Sequence, residues 1–118
     1  MKSFRFFTAL VIGALFALPV NHVAAAPSGV DLIAACEHAL ANDFQGVEGQ
    51  MCTWYVTPCD CTYGKKSRMP RVCLPLSVPV EELAREVITT LQAEPALQSE
   101  EAGLAAALIL ARTYPCTD

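Results

Sequence analysis

Six cysteines, at positions 36, 52, 59, 61, 73 and 116, constrain this 118-residue chain more than anything else in it. A chain of this length has room for one domain. A domain so small buries only about 60–65% of the surface its unfolded chain exposes, so covalent closure is a common remedy. An even number of cysteines in a small exported domain reads as a disulfide framework. Spacing alone does not choose among the pairings that six cysteines allow.

The first residues supply the export signal. Lys2 and Arg5 precede an apolar run from Phe6 to Val20, interrupted only by Thr8, Gly13 and Pro19, and Ala24, Ala25 and Ala26 follow. A positive start, an apolar middle and small residues at the end make a secretory signal peptide. Pro27 obstructs cleavage after Ala26, whereas cleavage after Ala25 places Val23 and Ala25 in the two small-residue pockets. The expected organisation is therefore a signal peptide over 1–25 and a single domain over 26–118. The run is short of the roughly 20 residues a membrane-spanning helix needs, so no membrane association is expected after cleavage. Ile33-Ala34-Ala35-Cys36 looks like a lipoprotein cleavage box. His22, Pro27, Ser28, Gly29 and Asp31 separate it from the apolar run, which leaves it too far downstream.

Removing Lys2 and Arg5 leaves six cationic residues against 12 acidic ones, a net charge of −6. That balance lacks the basic footprint of a nucleic-acid binder. Cys59-Asp60-Cys61 invites two other readings. As a metal site, the C-x-C pair lacks the usual two- to four-residue ligand spacing. As a redox pair, it differs from C-x-x-C and has no thioredoxin-like βαβ pattern around it. No metal or cofactor is expected.

Helical signals dominate the rest. Ser28 and Asp31 form a shortened capping box, and Ile33, Cys36, Leu40 and Phe44 recur behind it at helical spacing. Asn42, Asp43 and Gly46 mark the end of that helix. A second helix is expected from about Val47, with Val47, Met51, Trp54 and Tyr55 on one face, and Pro58 is expected to kink or end it. Residues 60–72 read as a loop made basic by Lys65, Lys66, Arg68 and Arg71. Pro79 opens the clearest helix, with Glu81 and Glu82 at its positive dipole end. Its stripe is Val80, Leu83, Ala84, Val87, Ile88 and Leu91, and Pro95 stops it. Ser99 is expected to cap a final helix with Glu100 and Glu101 in its first turn. Every residue from Ala102 to Ala111 is apolar or glycine, so this helix must be buried all round or shared with a partner. The fold expected is all-α, a compact disulfide-stapled bundle of about four helices.

Catalytic chemistry finds little footing. After signal cleavage His38 is the one histidine, on a helix face beside Cys36. Ser28, Ser67, Ser77 and Ser99 fall at caps and loops, and no glycine-rich phosphate loop is present. The chain is not expected to be an enzyme.

The order of short motifs then carries a resemblance. A helix cysteine, Cys36, precedes the run Cys52-Thr53-Trp54-Tyr55-Val56. Arg71-Val72-Cys73-Leu74-Pro75 follows, then a long helix ending in Glu94-Pro95 and a terminal Tyr114-Pro115-Cys116. Over residues 29–116 this resembles the Rap/Tai family of periplasmic immunity proteins. Pro58, the basic proline-bearing link, and the additional Cys59 and Cys61 depart from the family pattern.

The resemblance implies a small, exported, non-catalytic helical protein. Its characterised relatives bind and block peptidoglycan amidase effectors delivered by type VI secretion, and several act as homodimers. We expect Cys36 to pair with Cys52 and Cys73 with Cys116, since each bridge staples a helix to a neighbouring segment. Cys59 and Cys61 are left to each other or to reshuffling. Inhibition by occlusion asks for an exposed, rigid element. The candidate is the turn holding Glu94, Pro95, Leu97, Gln98 and Ser99, with Glu100 and Glu101 beside it, an acidic surface suited to a cationic cleft rim. The alternative is a small periplasmic acid-stress chaperone, using the apolar Ala102–Ala111 helix as its client face.

Overall fold

The computed structural model describes residues 26–59 and 69–117. The expected signal peptide, residues 1–25, lies outside them, as do Cys61, Lys65, Lys66 and Arg68. Five helices follow in order: α1 (Gly29–Ala41), α2 (Gly46–Val56), α3 (Val80–Ala93), α4 (Pro95–Gln98) and α5 (Ala102–Thr113). No strand occurs among the described residues, and the all-α expectation holds with one short helix more than the pattern gave.

Each helix begins where its local chemistry allows. Asp31 accepts hydrogen bonds from the Ser28 N–H at 2.8 Å and from the Ser28 hydroxyl at 3.2 Å, which fixes the start of α1. Its end is closed by Phe44, whose N–H reaches the Ala39 carbonyl at 2.8 Å. Phe44 sits in the left-handed region at φ 59°, after Asp43 at φ 51°. A side chain at Gly49 would fall on the Phe44 backbone, so only glycine lets α2 fold back this closely on the turn. α2 ends at Val56, two residues before Pro58. Pro79 is the N-cap of α3, whose first turn carries Glu81 and Glu82.

α1 packs against all four other helices, and α5 packs against α1, α2 and α3. The core lies between them: Leu32, Leu83, Leu91, Ile109, Leu110, Val56 and Val87 are wholly buried, with Cys36 and Cys52 among them. The expected stripe of α3 is correct from Leu83 to Leu91, with Val80 half-buried at its start. Two other faces require correction. α1 buries Gly29, Leu32, Ala35, Cys36 and Ala39, a face of small residues about Leu32, while Ile33, Leu40 and Phe44 lie at its edge. α2 buries Gly49, Cys52 and Val56, whereas Val47 is 78% and Trp54 76% exposed. The bridge to α1 and the close approach at Gly49 fix which side of α2 faces inward, and the larger side chains follow.

The beginning and end of α4 also differ from the expected plain turn. Pro95 stops α3 and opens a one-turn helix, as its fixed φ suits a first helical position. The cap of α5 is Glu101, not Ser99, and both Glu100 and Glu101 precede the helix. Ser99 instead donates its hydroxyl to the Ala96 carbonyl at 3.1 Å.

Cys36 is bridged to Cys52 with Cα atoms 4.9 Å apart, joining α1 to α2. Cys73 is bridged to Cys116 with Cα atoms 5.0 Å apart, joining the entry to α3 to the C-terminus. Beside the second bridge, the Cys73 N–H donates to the Tyr114 carbonyl at 2.9 Å, and Val72 faces Pro115 in an isolated antiparallel bridge. Cys59 is also disulfide-bonded, and Cys61, its expected partner, lies outside the described residues.

Candidate functional site

The residues singled out for recognition form one corner of the bundle, between the end of α3 and the start of α5. Backbone hydrogen bonds clamp it to the N-terminal segment. The Gly29 N–H donates to the Glu100 carbonyl at 2.9 Å, and the Ala102 N–H donates to the Pro27 carbonyl at 2.8 Å. Ser28 and Glu101 face each other in an antiparallel bridge. From within, the Gln98 amide donates to the Leu91 carbonyl at 2.8 Å, satisfying one of the carbonyls left open at the end of α3. Leu97 and Gln98 are half-buried and act as the corner's footing, while Pro95, Ser99, Glu100 and Glu101 are exposed.

Glu94 pairs within the molecule. Its carboxylate receives both arms of the Arg112 guanidinium, at 2.6 and 3.1 Å, which ties the α3–α4 corner to the last turn of α5. The Arg112 hydrogen bond, helped by its charge, holds the Glu94 carboxyl below its ordinary range and raises the guanidinium further above its own. Among the described residues, Glu100 and Glu101 form no ion pair, and they give the exposed part of the corner its negative charge. The corner is acidic and braced on both sides, by the N-terminal segment and by Arg112, with Pro95, Ser99, Glu100 and Glu101 exposed.

Two residues of importance were not found by sequence reasoning. Arg112 lies 18 residues from Glu94, and nothing in the local pattern links them. Trp54 was assigned to an apolar packing face and stands instead on the surface, beside a cleft whose wall includes Glu101. Tyr114, by contrast, lies against the core. Burial first, then the nearby Glu86 and Glu82 carboxylates, raises its phenol above the ordinary tyrosine range.

Residues 28–116 match the family described as Rap1a immunity proteins. The chain belongs to that family. The match runs from the cap of α1 to Cys116, so the Rap1a domain takes in all five helices and both described bridges. No curated protein and no solved structure matches the chain. Among the described residues of this Rap1a protein, no three His, Cys, Asp or Glu side chains gather as metal ligands. No described helix is long and apolar enough to cross a membrane.

Proposed function

We propose that this Rap1a-family protein is a non-catalytic immunity protein that acts in the periplasm by binding and occluding a peptidoglycan amidase effector of type VI secretion. The observation that carries the reading is the family match across the whole helical domain. The braced corner supports the mode of action. A rigid acidic element loses little conformational freedom on docking, and its charge speeds encounter with a cationic cleft. In this reading Pro95, Ser99, Glu100 and Glu101 meet the effector, Leu97 and Gln98 hold the corner's base, and Glu94 braces it through Arg112. Residues 1–25 direct export and are removed.

The chaperone alternative rested on the apolar Ala102–Ala111 helix as a client face. Ala102, Ala105, Ala106, Ala107, Ile109 and Leu110 of that helix are buried in the core, so that face is closed in the folded molecule.

The test is capture of partners by the tagged mature protein from its host's periplasm, followed by a hydrolysis assay. One cell-wall hydrolase in near-stoichiometric amount, silenced by about one equivalent of the protein per active site, is the expected result. Light scattering on the free protein tests the homodimer implied by the resemblance. A spread of unrelated exported proteins, growing at acid pH, or a captured hydrolase that stays active, overturns the reading.

A further inference from the structure

Between the C-terminal end of α2 and the N-terminal end of α5 lies a cleft of about 370 Å³, next to the corner but distinct from its exposed turn. Trp54, Tyr55 and Pro58 form one side, Glu101 the other, and Gly103 the floor. The floor is backbone, because residue 103 lacks a side chain. A Cβ there would stand 3.1 Å from Glu101 Oε1 and 3.6 Å from both Met69 Cε and Tyr55 Cε1, so the carboxylate, the thioether methyl and the phenol ring converge on one point. Among the described residues, the Glu101 carboxylate accepts one long hydrogen bond, 3.4 Å from the Gly103 N–H, and makes no ion pair.

An aromatic wall beside a carboxylate that no described cation pairs with has the chemistry of a receptor for a cation. The face of an aromatic ring attracts positive charge, Trp most strongly, and a carboxylate adds a charge-assisted hydrogen bond. The N-terminus of α5 opposes this with about half a positive charge, which the full charge of Glu101 outweighs. Of the two cationic side chains, arginine fits better. Its flat guanidinium stacks on a ring while its fork meets a carboxylate, and it is less strongly hydrated than lysine.

We propose that this cleft receives an arginine side chain presented by the effector, an inference that rests on the immunity reading. Trp54 is the anchor and Glu101 selects for charge. Trp54 and Tyr55 receiving an arginine fit the composition of interface hot spots, where tryptophan, tyrosine and arginine predominate. The cleft adds an apolar contact to a corner that otherwise offers charge and hydrogen bonds.

Trp54 is the chain's single tryptophan, so its fluorescence reads the cleft directly. The mature, oxidised protein is titrated with N-acetyl-arginine amide and with N-acetyl-citrulline amide, a neutral molecule of nearly the same shape. The expected result is a saturable response to arginine, weaker by at least about tenfold for citrulline and for arginine on Glu101→Gln. Glutamine keeps an oxygen for the Gly103 N–H, and circular dichroism checks that the variant is folded. Equal responses to the two probes would mark a merely apolar patch, as a contact with a second copy of the chain would show, and would overturn the proposal. So would no saturable response.

A second arm separates this inference from the one beneath it. If wild type captures a hydrolase, Trp54→Ala and Glu101→Gln should each weaken that capture by about tenfold or more. Undiminished capture refutes the arginine cleft and leaves immunity standing. If wild type captures none, the immunity reading fails, and with it the effector as the source of the arginine.

Discussion

The two described disulfides allow a prediction in which loop length and burial give opposite rankings. The Cys36–Cys52 bridge spans 16 residues of sequence and the Cys73–Cys116 bridge spans 43. Loop-closure entropy in the unfolded chain then gives about 3 kcal/mol for the first and about 4 kcal/mol for the second. On that term alone, the Cys73→Ala, Cys116→Ala double variant is the more damaged. Burial reverses the order. Cys36 and Cys52 are wholly buried, whereas Cys73 is exposed and Cys116 half-buried. Truncating two buried sulfurs removes packing worth about 1 kcal/mol each, by comparison with the loss of a single buried methyl group. The Cys36→Ala, Cys52→Ala variant should therefore lose about 5 kcal/mol against about 4 kcal/mol for the other. A domain of this size has only about 5–14 kcal/mol in total. Both variants should accordingly be unfolded by urea in a fixed concentration of trimethylamine N-oxide, which restores a folded baseline. If the Cys73/Cys116 variant is equally or more destabilised, the packing argument for the α1–α2 bridge is refuted.

Three further predictions concern the corner and the core. A Cβ at Gly29 would lie 2.6 Å from the Leu97 carbonyl oxygen and 2.9 Å from Gln98 Cα. Gly29→Ala should cost about 1–2 kcal/mol in urea unfolding, because overpacking exceeds the roughly 0.5–1 kcal/mol that alanine gains in a helix; an equally stable variant would contradict that close approach. Glu94 titrates below its ordinary 4.5 when folded, so its pair with Arg112 stabilises above that pH and is lost as pH falls through the folded value. The urea midpoints of wild type and Glu94→Gln should differ slightly at neutral pH and converge in acid, and a gap independent of pH would count against the pairing. Leu91→Ala should cost about 2–5 kcal/mol, since that side chain is wholly buried, while Leu76→Ala, at a fully exposed position, should change stability by less than about 0.5 kcal/mol.

How much of this was legible depended on whether a local signal had a competitor. The stripe of α3 was readable because charged residues occupy its other faces and leave one side to bury. In α2 the same reasoning chose the larger residues, Val47, Met51, Trp54 and Tyr55. The inward face proved to be Gly49, Cys52 and Val56. Periodicity names a helix but not which of two apolar sides faces inward. At the corner, the sequence named the acidic turn from Glu94 to Ser99, but nothing local in it linked Glu94 to the Arg112 that pairs with it.

The sequence by itself determined the elements of this protein. Prolines, caps and 3.6-residue periodicity set the helices, the all-apolar α5 announced its burial, and the order of cysteine motifs gave the family. These are local or linear properties, carried by each residue's own backbone preference and its neighbours along the chain. The tertiary structure alone decided how those elements face one another. It turned Trp54 outward, brought Arg112 onto Glu94, set the 27–29 segment against residues 100–102, and placed Tyr55 and Glu101 around Gly103. Apart from Glu101 beside Gly103, these contacts join residues distant in sequence. Their geometry follows from how five short helices close around one shared core, a condition that no single segment contains.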